Sequence, residues 1–180
     1  MALVKMKKLL DQAETEGVGI GAFSVGNMEM IMGAVQAAEE LQTPIILQIA
    51  EVRLKNSPLE FVGPMMVSAA QKAKVDIAVH LDHGLTIETV KAALNMGFTS
   101  VMLDASASPF EENISKTREV VQLAKAFGAT VEAELGLVGG SEDGSSDHGI
   151  NCTNPYDAKT FVEQTGIDAL AIAIGNAHGN

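Results

Sequence analysis

Cysteine is nearly absent from this chain of 180 residues, where Cys152 stands alone. A single thiol excludes an internal disulfide and leaves no partner for a thiolate metal site, and it suits the reducing cytosol better than an oxidising compartment. Positive charge is scarce as well. Twelve lysines and arginines face 23 aspartates and glutamates, for a formal net charge of -11, and no basic run exceeds Lys7-Lys8. Nothing here offers an electrostatic footprint to nucleic acid, so a small substrate or a metal cation is the partner to expect. Long apolar runs are missing too. No stretch reaches about 18 apolar residues without a charge, so no membrane span is expected. The opening "MALVKMKKLLDQ" has lysines without an apolar segment behind them, so export is not expected either. These absences point to a cytoplasmic protein. No Gly-x-Gly-x-x-Gly opens a helix, which argues against a dinucleotide site.

What the chain has is apolar residues in a regular order. At 47% hydrophobic it can bury a core of its own and fits one domain over residues 1–180, or a large piece of one. Short apolar runs occur at 19–25, 44–50, 76–82, 100–106, 130–135 and 169–175. Their hydrophobicity is continuous rather than alternating, as in strands of a parallel sheet covered on both faces. Segments of helical period lie between them at about 28–41, 58–73, 86–96, 111–127 and 155–165. Asn27 and Ser57 suit helix caps, Pro58 a first helical position, and Gly97, Gly128 and Gly166 the positions just past an end.

This alternation admits an open doubly wound sheet or a (β/α)8 TIM barrel. The polar residues decide for the barrel. Ser24, Glu51, Asp82-His83, Asp104, Glu134 and Asn176-His178 fall at or just beyond the C-terminal ends of successive runs. Six strands feeding one rim is barrel behaviour, whereas a doubly wound sheet concentrates its chemistry at one switch point. About six βα units are present. "LVGGSEDGSSDHG" (137–149) reads as a long active-site lid. In "VHLDHG" (79–84) a buried run ends in three groups that are costly to bury without partners. With His83 atop the third strand and His178 atop the sixth, both imidazoles can meet at one rim position, which suits zinc with an open coordination site. Asp82 would then be kept ionised beside a cation, ready to take a proton. Hydrogen-bonded loop histidines are the other explanation. His80 reads as a core or supporting histidine and His148 as a solvated one.

"HLDHG", "EAELG-x-x-GG-x-ED" and "AIGNAHG", with the spacings between them, resemble the metal-dependent class II fructose- and tagatose-bisphosphate aldolases. The likeness extends through "DASASPFEENI" and "TNPYDAKTFVEQTGIDALA" to nearly the whole chain. The resemblance implies a zinc-dependent barrel, with a second or monovalent cation as an option. It would cleave a phosphorylated ketose, in the first instance a ketose 1,6-bisphosphate, into dihydroxyacetone phosphate and an aldehyde. It implies an enzyme of carbohydrate metabolism that is a homodimer or homotetramer at full length. His83 and His178 match two of the family's three zinc-binding histidines, and Asp82 matches the base at the C4 hydroxyl. Glu142 matches the acid that exchanges a proton with the enediolate carbon. Asp104 and Glu134 match carboxylates near the metal; rim carboxylates that only fix loops are the alternative. Ser24, Asn176 and Gly179 match substrate-side positions. Arg53, with Lys55, is a candidate for a substrate anion, against the plainer reading of solvated loop charges. A Schiff-base aldolase needs a lysine at a strand end, and none of the six runs contains one.

Two departures bear on the substrate. Ser24 stands where many members have asparagine. Ala50-Glu51 stands where they have serine or threonine, and a carboxylate at Glu51 would disfavour a nearby phosphate. A complete barrel takes about 250 residues, while the sixth run is followed only by "NAHGN". We therefore expect a fragment of a longer protein, or an edge completed by another chain. On its own the fragment would bind zinc poorly and turn over negligibly. A barrel of the same lineage that binds sugar phosphates or serves as a subunit without catalysis is the alternative function.

Overall fold

The computed structural model describes residues 2–140 and 151–177. Six parallel strands make one sheet: β1 (Ala22–Ser24), β2 (Ile45–Ala50), β3 (Ile77–Gly84), β4 (Ser100–Leu103), β5 (Thr130–Leu135) and β6 (Ala169–Ile172). The helices among the described residues are α1 (Met6–Glu16), α2 (Met28–Leu41), α3 (Leu59–Lys72), α4 (Ile87–Asn95), α5 (Phe110–Lys125) and α6 (Pro155–Thr165). Spatial order equals chain order from β1 to β6. A doubly wound sheet reverses direction at its switch point, whereas a barrel lays each strand beside the last. The sheet accordingly curls into part of a (β/α)8 barrel. No described helix is long and apolar enough to cross a membrane.

Period-two alternation sorts each strand into two packing environments. Ile77, Val79 and Leu81 of β3 join Ile45, Leu47 and Ile49 of β2 against Val62 and Met66 of α3 and Val90 of α4. Ala78 and Ile46 point the other way, into the barrel interior, where Met6 and Leu9 close its lower end. α1 was not expected from the sequence; its buried face is Met6, Leu9 and Ala13.

Several local expectations are met. Asn27 accepts a hydrogen bond from Met30 N at the start of α2, and Gly166, at φ 70, ends α6. Ser57 does not cap α3. Its hydroxyl donates to Gly26 O at 2.7 Å, and Pro58 takes the cap position. The first run is shorter than expected, 22–24 rather than 19–25, and its three residues are exposed. β1 and β6 are the edges of the sheet.

Candidate functional site

Along the barrel interior the side chains pass from apolar to polar to ionisable. On β3 the series is Ala78, His80, Asp82. At the middle level His80 is buried, with Nδ1 2.8 Å from Ser100 Oγ. Its Nε2 lies 3.2 Å from Glu132 Oε2, a close contact without the alignment of a hydrogen bond. Burial works to raise the Glu132 carboxyl, but His80 holds it below the ordinary carboxylate value. His80 is thus a core histidine, one of the two roles the sequence suggested. Gln48 of β2 sits opposite His80 in the register. Its Nε2 donates to Asp82 Oδ2 at 2.8 Å and reaches Ser24 Oγ at 3.4 Å. The signal for Gln48 in the sequence is a lone polar residue inside the apolar run "PIILQIA".

At the C-terminal ends of β3 to β5, Asp82, His83, Asp104 and Glu134 converge. A regular strand would send Asp82 and His83 to opposite faces. Here the β3–β4 register shifts between Leu81 and Gly84, and His83 adopts φ 40, a left-handed conformation uncommon outside glycine. Both side chains therefore reach one cluster of ionisable groups. The following residue must be glycine, because a Cβ at Gly84 would lie 2.5 Å from the backbone oxygen of Met102.

His83 Nδ1 stands 2.8 Å from Asp104 Oδ2 and 3.8 Å from Glu134 Oε2, and its Nε2 is 3.9 Å from Asp82 Oδ1. Asp104 is held in turn by Ser106, whose N and Oγ donate to Oδ1 at 3.0 and 2.7 Å. Burial disfavours the charged imidazole of His83. The Asp104 hydrogen bond and the charges of Asp82, Asp104 and Glu134 outweigh it and raise the pKa to about 9. Burial also works against the Asp104 carboxylate, but its bonds from His83 and Ser106 bring it down to about 2. Glu134 is pushed up to about 7 by burial and then by the charge of Asp104. One imidazole nitrogen and two carboxylate oxygens, all within 4.8 Å of one another, form a potential metal-ligating cluster of His83, Asp104 and Glu134. That mixed donor set is one that zinc accepts, so these residues fit the metal that the resemblance implies.

The remaining candidates lie at or beyond the ends of other strands, or outside the described residues. Ser24, exposed at the end of β1, connects to Asp82 through Gln48. Arg53 is exposed on the 3-10 turn Glu51–Lys55 that follows β2. Asn176 is exposed beyond β6, its Oδ1 accepting from Ile174 N at 3.2 Å. Glu142, His148, His178 and Gly179 lie outside the described residues. The Glu51 carboxylate is turned toward the start of α4 and accepts from the backbone nitrogens of Leu85 and Thr86.

The sequence profile described as fructose-bisphosphate aldolase class-II matches residues 4–180. A fructose-bisphosphate aldolase of Giardia intestinalis is 46% identical over 99% of this chain and 55% of its own length. One from Thermus caldophilus is 45% identical over 98% of this chain and 58% of its own. The crystal structure of the YdjI aldolase from Escherichia coli K12 superposes with a TM-score of 0.88 at 40% identity, covering 97% of this chain and 63% of that one. The chain thus spans little more than half the length of these two curated relatives.

Proposed function

The chain belongs to the class II fructose-bisphosphate aldolase family, and from that premise we propose that it carries the metal-binding and proton-transferring part of an aldolase site. The reaction is cleavage of a phosphorylated ketose, a ketose 1,6-bisphosphate in the first instance, into dihydroxyacetone phosphate and an aldehyde. The observation that carries this reading is the convergence of Asp82, His83, Asp104 and Glu134 from the ends of three adjacent strands into one cluster. Zinc is the metal of this reading, held by His83 with Asp104 and Glu134 in support and by His178 as a further ligand; a second or monovalent cation is compatible with so acidic a rim. A dication bound there supplies positive charge opposite the carbonyl oxygen that becomes negative as the C3–C4 bond breaks.

Asp82 takes the proton from the C4 hydroxyl, and that requires an ionised, oriented carboxylate. Gln48 orients it: the 2.8 Å bond from its amide to Oδ2 fixes the rotation of the carboxyl group. Ser24, Arg53, Asn176 and Gly179 contact the substrate, and Glu142 returns a proton to the carbon left behind. The protein on this reading is a cytoplasmic enzyme of carbohydrate metabolism, assembled as a homodimer or homotetramer.

The test is Asp82→Asn in the full-length protein. Cleavage of a ketose 1,6-bisphosphate should fall by roughly 10²- to 10⁴-fold, the range for loss of a positioned general base, while zinc content stays near that of the parent. Equal turnover by the variant and the parent would remove Asp82 from the mechanism.

A further inference from the structure

We propose that Glu51 is a positioning residue for the metal site. From the end of β2 it clamps the backbone that follows His83, and so holds that imidazole in the left-handed conformation that aims it at Asp104 and Glu134. The proposal rests on reading this cluster as the metal site. Glu51 Oε2 accepts from Leu85 N at 2.6 Å and from Thr86 N at 3.2 Å. Its Oε1 accepts from the hydroxyls of Thr86 at 3.1 Å and Thr89 at 2.8 Å. Every one of these donors lies within six residues of His83, and the nearest is separated from it by Gly84 alone.

Helix capping does not account for the contact by itself. α4 already has Thr86 as its cap, accepting from Thr89 N at 3.1 Å, and Leu85 N precedes the helix. A carboxylate is favourable near the first turn, but here it comes from a different βα unit and binds β2 to the segment leaving β3. Non-glycine residues stay in the left-handed region only where their surroundings over-determine it. His83 is bracketed in this way. On the β4 side, Asp104 N donates to Gly84 O at 2.8 Å, tying the segment to the very residue that binds the imidazole. On the β2 side the bracket is Glu51. Its release would let residues 83–86 relax, and the ring would leave Asp104.

The experiment uses the full-length protein with two readouts. The first, in metal-free protein, is the downfield NMR signal of the His83 Nδ1 proton in its hydrogen bond to Asp104. The second is the affinity for Co2+, titrated through its visible absorption. Glu51→Ala should lose or broaden the His83 signal. It should also weaken Co2+ binding about tenfold, the lower end of what removal of groups orienting a metal ligand produces. Glu51→Gln keeps one acceptor oxygen and should fall between. Val120→Ala, in the buried face of α5, serves as a control with lowered stability and should leave both readouts unchanged. An intact His83 signal in Glu51→Ala, or an equal loss in Val120→Ala, would overturn the proposal. Should Glu51→Ala not fold, Glu51→Gln carries the same decision. A parent protein that keeps the His83 signal but binds no Co2+ sinks the metal reading alone, and the signal then decides the role of Glu51.

Discussion

The two ends of the barrel interior are built from the same strands and solve opposite problems. At the lower end Ala78 and Ile46 pack with Met6 and Leu9, all buried and all apolar. Two pleats further along β3, Asp82 and His83 join Asp104 and Glu134 in a cluster with three carboxylates around one imidazole. The lower layer is satisfied by burial. The upper one combines a left-handed histidine, a carboxyl pushed up to about 7 and an imidazole raised to about 9. Perturbation of this kind gathers where groups are arranged for chemistry, and it accompanies stability given up for function. The difference also assigns labour within the strand: the fold is held at the bottom and on the outer face, which leaves the rim free to be unfavourable.

The most forceful way to break the comparison is at the bottom. Leu9 is fully buried, and Leu9→Ala should destabilise the protein by about 2–5 kcal/mol, as for other buried leucines. Co2+ affinity of the folded fraction should stay unchanged, because the rim is held by its own bonds. Urea unfolding followed by circular dichroism reads the first quantity. A change under about 1 kcal/mol would mean that α1 does not close the interior.

Next in size is the pH response of the upper layer in metal-free protein. His83 is raised from 6.5 to about 9, so its contribution is fully present below pH 6.5 and disappears as pH climbs through 9. Glu134 is raised from 4.5 to about 7, so folding favours its neutral form and loses support between those values. Both terms make stability fall from pH 4.5 toward 9. Asp104, lowered from 3.8 to about 2, adds support that is complete above 3.8 and lost as pH drops through 2. Metal affinity should run the other way and increase between pH 7 and 9, since His83 must shed its proton to bind. Chemical unfolding at a series of pH values, with and without Zn2+, tests this crossing of signs; parallel curves would refute it.

The parallel strands were legible in the sequence because burial on two faces makes runs such as "DIAVHLD" continuously apolar. β1 is shorter than its apolar run, because "GIGAFSV" is apolar in composition yet only 22–24 pair. α1 is hard to see in the sequence because its buried face is only three residues, Met6, Leu9 and Ala13, spaced three and four apart among lysines and acids. The rim residues were legible as types at strand ends. What could not be read was direction. Nothing in "DHG" announces that His83 turns left-handed to share a cluster with Asp82. Nor does "AEV" tell that the turn after β2 swings Glu51 sideways to α4. Both depend on contacts between βα units, which linear spacing does not encode.

The smallest effect is the sharpest, because its sign separates the two layers. Shortening or replacing a side chain in the lower layer can only remove packing. At Glu134 the carboxylate is 4% exposed and stands near Asp104, so above its pKa of about 7 it is a buried charge facing another of the same sign. Glu134→Gln keeps the shape and removes the charge. In metal-free protein it should stabilise by about 1 kcal/mol at pH 8, less than one full pKa unit of interaction. At pH 5, where the parent is already protonated, the gain should vanish. Zn2+ affinity should fall in the same variant, because a neutral amide is a poorer ligand than a carboxylate. A loss of stability equal at both pH values would instead make Glu134 a fixed structural partner of the rim, and the contrast between a satisfied floor and a poised rim would no longer hold at that residue.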